Sequence, residues 1–336
     1  MSVDYIKLPD HSTQNGSVSL QFPRLFFIAA TLSITSPGLI AMEESIVSTF
    51  LIPGVLAAMM VGMGMTLQPL DFQRLYLYPK AVITGLLAQV LLLPALGFLI
   101  VSLVPMAPEL AVGLMIIALC PGGVGSNLLT LLARADSALS ITLTAISNVL
   151  LVITLPMFIN FFLRHFMGQG TDIQLPVLQT ILSTALLTVL PIAVGMALRR
   201  YAGDLSGRME TGFRRLSVAV LVLLMLGIGW RNREVFLNSL LDLGPAVLAL
   251  NLGSMALGFA LAALVRLELS QRVTIAIETG FQNAALAILV TTTFLHNPQM
   301  ALAPAFYGGI MFIGGFLLIG LLKLKAPPAT ASATTG

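Results

Sequence analysis

Six residues, Glu278-Thr-Gly-Phe-Gln-Asn283, interrupt a run that otherwise reads as membrane-spanning helix, with Val273 to Ile277 before them and Ala284 to Val290 after. A carboxylate, two carboxamides and a glycine do not suit a lipid-facing helix. An ionisable residue at the bilayer centre costs about 2.5–3.5 kcal/mol on insertion scales. Compensation has to come from a partner side chain or a bound cation, and no predicted span interior holds an Arg or Lys. Donor type narrows the choice of ion. Carboxylate, hydroxyl, carboxamide and carbonyl are hard oxygen ligands, without the His or Cys that zinc or copper favour. One acid carries too little charge for a divalent cage. A monovalent cation, Na⁺ or H⁺, is the natural occupant.

A second apolar run is broken at Cys120-Pro-Gly-Gly-Val-Gly-Ser-Asn127. In the next helix Ser140, Thr144 and Ser147/Asn148 recur at helical spacing and share one face. Singly, such hydroxyls are helix–helix glue; four polar groups beside a helix broken at Ser126-Asn127 point to a lined site. Gln89 is a lone carboxamide in another apolar span, equally readable as a packing hydrogen bond or a ligand. Cys120 reads as a small, inert buried thiol. His165 is expected at an interface, Arg134 and Asp136 form a solvated turn pair, and Trp230 with Tyr76, Tyr78 and Tyr201 serve as interface anchors. The paired glycines 308–309 and 314–315 are expected to let helices pack closely.

The elements that must position these residues follow from composition. The chain has 336 residues, 57% hydrophobic and 9% charged, where roughly 25% charged is usual for soluble proteins. With a mean hydropathy of +0.97 it reads as an integral membrane protein. Its apolar runs have the length of spanning helices rather than of barrel strands. The net charge of +3 does not suggest nucleic acid, because the basic residues lie between apolar runs and report topology instead. One cysteine excludes an intrachain disulfide and a cysteine-rich metal site. No cleavable signal peptide is expected: residues 1–21 read as a polar tail, and 324–336 as a disordered one.

Ten spans are predicted, at about 22–41, 48–68, 79–103, 108–133, 137–163, 175–198, 213–231, 243–265, 270–295 and 300–323. This layout puts fourteen Lys and Arg on the side of both termini and three, Arg164, Arg231 and Arg233, on the other. The positive-inside rule then places both termini in the cytoplasm. The broken spans are the fourth of the first five and the fourth of the second five. Five is odd, so the second set enters the membrane with opposite orientation. That is the inverted-repeat plan of many secondary transporters, whose sites lie where broken helices meet near the midplane. The expected fold is all-α, with residues 22–165 and 175–323 as the two repeats and a linker at 166–174.

These residues carry a resemblance. Cys-Pro-Gly-Gly-x-x-Ser-Asn in the fourth span and Glu-x-Gly-x-Gln-Asn in the ninth, with Gly62-Met-Gly-Met-Thr-Leu67 before the Pro69-Leu-Asp-Phe loop, resemble the bile acid:sodium symporter family over roughly residues 22–323. The resemblance implies a panel of helices 1, 2, 6 and 7, and a core of helices 3–5 and 8–10 where the broken helices cross beside two sodium sites. One sodium would be held by Ser126, Asn127, Ser140, Thr144 and Glu278. The other would be held by Gln89, Gln282, Glu278 and the carbonyls of Thr279 and Phe281. Substrate-facing candidates are Asn283, Val124, Gly125, Asn148 and Tyr307. The family often has Thr-Ala where Val124-Gly125 stands, and Tyr307-Gly-Gly-Ile-Met311 lacks the polar pair expected of a bile-acid binder. Sodium coupling is therefore better supported than a bile acid cargo.

The function expected is uptake of an organic anion (bile acid-like, pantoate-like, keto acid or sulfonate) across the bacterial inner membrane, by alternating access. Two Na⁺ and one monoanion would bring the Glu278 core to neutrality, so the loaded core crosses the low-dielectric barrier with least penalty. The net positive charge moved per cycle would draw about 2.3 kcal/mol per 100 mV. The expected partners are the anion, sodium and membrane lipid, with no nucleic acid and no obligatory protein. The rivals are metalloid or oxyanion efflux using Cys120, a membrane receptor without transport, and an intramembrane enzyme. The last lacks a second acid or His beside Glu278.

Overall fold

The computed structural model describes residues 50–168, 175–201, 240–325 and parts of the stretch 212–238. The N-terminal tail, the first predicted span, most of the midpoint linker and residues 326–336 lie outside the described residues, and the seventh span is only partly described.

Proline and glycine punctuate the helices. Helix α1 (Ile52–Gly64) leads through a short turn into α2 (Pro69–Leu77), and α3 runs Pro79–Leu103. Then come α4 (Pro108–Leu119), α5 (Val124–Leu132), α6 (Ser137–Met167) and α7 (Val177–Tyr201). The later part comprises α8 (Leu240–Leu264), α9 (Leu269–Gly280), α10 (Ala284–Phe294) and α11 (Leu302–Lys325). Proline opens α1, α3 and α4 at the first or second helical position, where its missing N–H costs nothing. Asp136 caps α6 by accepting the Leu139 N–H at 3.0 Å, so it serves the helix start rather than a pair with Arg134.

Five helices, α3, α6, α7, α8 and α11, are long and apolar enough to cross a membrane, and α1 with α2 makes a sixth if the bent pair is one span. The chain is a multi-pass, all-helical membrane protein; among the described residues the only extended pairing is a single bridge. An apolar core is present, but the surface differs from that of a soluble protein. Large apolar side chains such as Leu87, Leu91, Ile153, Phe161, Leu182 and Phe316 lie exposed, while Ser126, Ser140, Thr144, Asn148, Asn251 and Glu278 are buried. Helices α1 and α7 cross in backbone contact: a Cβ on Gly64 would strike the Ile192 carbonyl, and one on Gly195 would come within 2.8 Å of Gly64. Small residues commonly permit such crossings in membranes.

Two features position the polar residues. Helix α3 contains a wide turn at Ala88–Leu92, where the Leu93 N–H reaches back five residues to the Ala88 carbonyl. Pro94 follows it and has no N–H for the ordinary ladder. The turn carries Gln89 into the interior; wide turns of this kind recur at functional sites.

The second feature is the pair of interruptions. Between α4 and α5 the chain is extended at Cys120 and Gly123, and between α9 and α10 at Phe281. Both breaks are shorter than the sequence suggested: Ser126 and Asn127 lie in α5, and Glu278 to Gly280 in α9. The extended segments meet in an antiparallel bridge between Gly122 and Gln282. Gly123 N–H donates to the Phe281 carbonyl at 3.2 Å, and Asn283 N–H donates to the Pro121 carbonyl at 2.9 Å. Each break thus satisfies the backbone groups that the other leaves open.

A buried oxygen cluster where two broken helices meet

Glu278, on the last turn of α9, is 3% exposed. Its Oε1 accepts from Ser140 Oγ and its Oε2 from Thr144 Oγ1, the latter at 2.9 Å. Ser140 and Thr144 sit one turn apart on α6, as their spacing required. The Ser140 hydroxyl also lies 2.7 Å from Asn127 Oδ1, and the Thr144 hydroxyl 3.0 Å from the Ser140 carbonyl. Each hydroxyl has one hydrogen and two acceptors within reach, while Asn127 Nδ2 is left without a partner, so acceptors outnumber hydrogens at the carboxylate itself. Such a surplus suits a hard monovalent cation. Among the described residues no three His, Cys, Asp or Glu side chains converge as for a transition-metal centre.

Gly122 closes this cluster. A Cβ there would collide with Glu278 Oε2 and stand 3.5 Å from Ser126 Oγ. Ser126 is fully buried, and its hydroxyl donates to the Gly123 carbonyl at 2.8 Å. Thr130 also belongs to the group, donating to Ser140 Oγ at 3.3 Å. Sequence reasoning passed over Thr130, although it stands one turn beyond Ser126 on the same face of α5.

A second set of oxygens adjoins the first. Gln89 Nε2 donates to the Cys120 carbonyl at 2.8 Å and to Gln282 Oε1 at 2.7 Å. Gln282 Nε2 donates to the Thr279 carbonyl at 2.8 Å and to the Glu278 carbonyl at 3.3 Å. These bonds fix both amides, and they leave Gln89 Oε1 buried without a partner. The Phe281 carbonyl, by contrast, is taken by Gly123 N–H, and the Phe281 ring packs edge-on to Phe312 and against Gly125.

The remaining candidates are spread around the bridge. Val124 supplies the first residue of α5. Asn283 caps α10 by accepting the Leu286 N–H at 3.1 Å, which leaves its Nδ2 without a partner. Asn148 donates to the Thr144 carbonyl at 2.7 Å and lies 3.7 Å from Met63 Sδ on α1, with Oδ1 unpartnered. Tyr307 is fully buried, and its hydroxyl donates to the Gly280 carbonyl at 3.0 Å. Asn251, on α8, reaches the same carbonyl at 2.7 Å and went unremarked in the sequence; an Asn inside an apolar span was its signal. Cys120 is fully buried. His165 packs among Phe98, Phe161 and Phe166.

Residues 53–239 match the model of the Sodium Bile acid symporter family. The uncharacterized sodium-dependent transporter YocS of Bacillus subtilis is 29% identical over 292 residues, 87% of each chain. A probable sodium/metabolite cotransporter, BASS1 of rice chloroplasts, is 29% identical over 268 residues, 80% of this chain and 64% of that one. The hepatic sodium/bile acid cotransporter of Rattus norvegicus is 28% identical over 278 residues, 80% of this chain and 74% of that one. The family model spans more than half of the sequence, and the chain belongs to the sodium bile acid symporter family, as a sodium-dependent secondary transporter rather than an enzyme.

Proposed function

We propose that this protein takes up an organic anion together with two sodium ions by alternating access. The observation that carries the reading is the Glu278 carboxylate, buried at the meeting of two broken helices and bonded to hydroxyls that have too few hydrogens for the acceptors around them. In this reading the first sodium takes Ser126, Asn127, Ser140, Thr144 and Glu278, and the second takes Gln89, Gln282, Glu278 and the carbonyls of Thr279 and Phe281. For the Phe281 carbonyl to take part, a lone pair beside its bond to Gly123 N–H must turn to the ion; carbonyls carry two.

The wider architecture of this reading is ten spans in two inverted repeats. A panel of helices 1, 2, 6 and 7 faces a core of helices 3–5 and 8–10, and both termini are cytoplasmic at the bacterial inner membrane. The reciprocal bonds at the Gly122–Gln282 bridge support a two-fold relation between the halves. Substrate recognition falls to Asn283, Val124, Gly125, Asn148 and Tyr307. Two of them present complementary groups: Asn283 an unpaired donor, Asn148 an unpaired acceptor. An anion that also carries a hydroxyl or N–H fits that pair. Two cations and one monoanion neutralise the core, and the cycle carries net positive charge inward.

The test is uptake into proteoliposomes of labelled carboxylates and sulfonates under an inward sodium gradient. Uptake should need sodium rather than potassium and should rise with an inside-negative potential. Sodium-independent or potential-independent uptake would sink the reading. Metalloid efflux is not favoured: the similar proteins are named sodium-dependent transporters and sodium cotransporters.

A further inference from the structure

The last four carbonyls of any α-helix lack helical partners. In α9 the open ones are Glu278, Thr279 and Gly280, after Ile277, whose partner is the capping residue, and each acceptor role can be traced. Ile277 accepts the Phe281 N–H at 2.9 Å. Glu278 and Thr279 share the single Nε2 of Gln282. Gly280 accepts from two side chains on other helices, Asn251 of α8 at 2.7 Å and Tyr307 of α11 at 3.0 Å.

We propose that Asn251 and Tyr307 are positioning residues for the cation cluster: together they end α9 at Gly280 and so hold Glu278 and Gln282 in register. This rests on the sodium reading above. Without those two donors the buried Gly280 carbonyl would compete for the Gln282 amide. That amide would then leave Glu278 and Thr279, and Gln282 Oε1 would lose its place against Gln89. The surroundings are shaped for this anchor. A Cβ on Gly314 of α11 would collide with Asn251 Oδ1, so glycine leaves room for the carboxamide there. The other broken helix lacks such an anchor. The Cys120 carbonyl at the end of α4 has one side-chain donor, Gln89. Ser147, which stands as far beyond Cys120 as Tyr307 stands beyond Gly280, lines a small crevice of about 20 Å³ with Gln89, Cys120 and Pro121. The corresponding place in the second half is filled by the fully buried Tyr307 ring.

The test is thermal unfolding of the purified full chain across sodium concentrations, with potassium keeping ionic strength constant. Tyr307→Phe keeps the ring and removes one donor; it should raise the sodium concentration for half-maximal stabilisation about threefold and leave the sodium-free melting temperature nearly unchanged. Asn251→Leu should raise it about tenfold. A fall in melting temperature with no shift in the sodium midpoint makes the pair merely structural and overturns the proposal, as does no change in either. If Asn251→Leu does not fold, Tyr307→Phe decides alone. If the wild type itself shows no sodium-dependent stabilisation, the sodium reading fails first.

Discussion

The two interrupted spans meet at one bridge but are built unlike each other. The first break is glycine-rich and uncharged, and its terminal carbonyl, that of Cys120, rests on a single amide beside a small crevice. The second break follows Glu278, carries Gln282 and Asn283, and is held at Gly280 by two donors from separate helices. Charge and anchorage thus lie in one half, while the other contributes hydroxyls, the carboxamides of Asn127 and Gln89, and Gly122, against which the carboxylate packs. A site assembled this way responds strongly to changes at Glu278 and less to changes around Cys120.

Substitutions can break that contrast in order of expected size, with the sodium midpoint for thermal stabilisation as the common measurement. Glu278→Gln removes the charge to which Ser140 and Thr144 donate; hydrogen bonds to charged groups are worth about 1.5–3 kcal/mol each, so sodium should act on the order of a hundredfold more weakly. Gly122→Ala drives a methyl into the carboxylate from the opposite half, an overpacking of about 1–3 kcal/mol, and a tenfold rise is expected. Equal effects from Gly122→Ala and Gly123→Ala would deny Gly122 its special role, because a Cβ on Gly123 meets nothing closer than 3.3 Å. Gln89→Leu should raise the midpoint about threefold and flatten the sodium dependence, since only the second ion loses a ligand. Cys120→Ala should move it less than about twofold, because only the Cys120 backbone takes part. A large effect there would return attention to the thiol.

Much of the cluster was legible in the sequence because its physics is local. Ser140 and Thr144 are one helical turn apart, and an acid amid apolar helix demands a partner wherever it stands. The break boundaries were drawn too wide, since polar residues such as Ser126, Asn127 and Glu278 stay helical while pointing inward; the unwound segment needs only the residues that bridge. The wide turn at Ala88–Leu92 had Pro94 as its signal, but a proline says that the ladder fails, not which side chain is redirected. The anchorage of Gly280 was closed to sequence reading, because its donors lie on two helices remote in the chain. Asn251, like Thr130, drew no notice in the sequence, since a lone polar residue in an apolar span does not name its partner.

The most direct test of the central idea, that Glu278 and its hydroxyl neighbours hold transported sodium, is equilibrium binding of radiolabelled sodium to the purified protein. Saturable binding of about two ions per chain is expected for the wild type, with high-affinity binding abolished by Glu278→Gln. Undiminished sodium binding in Glu278→Gln, or none in the wild type, would contradict it.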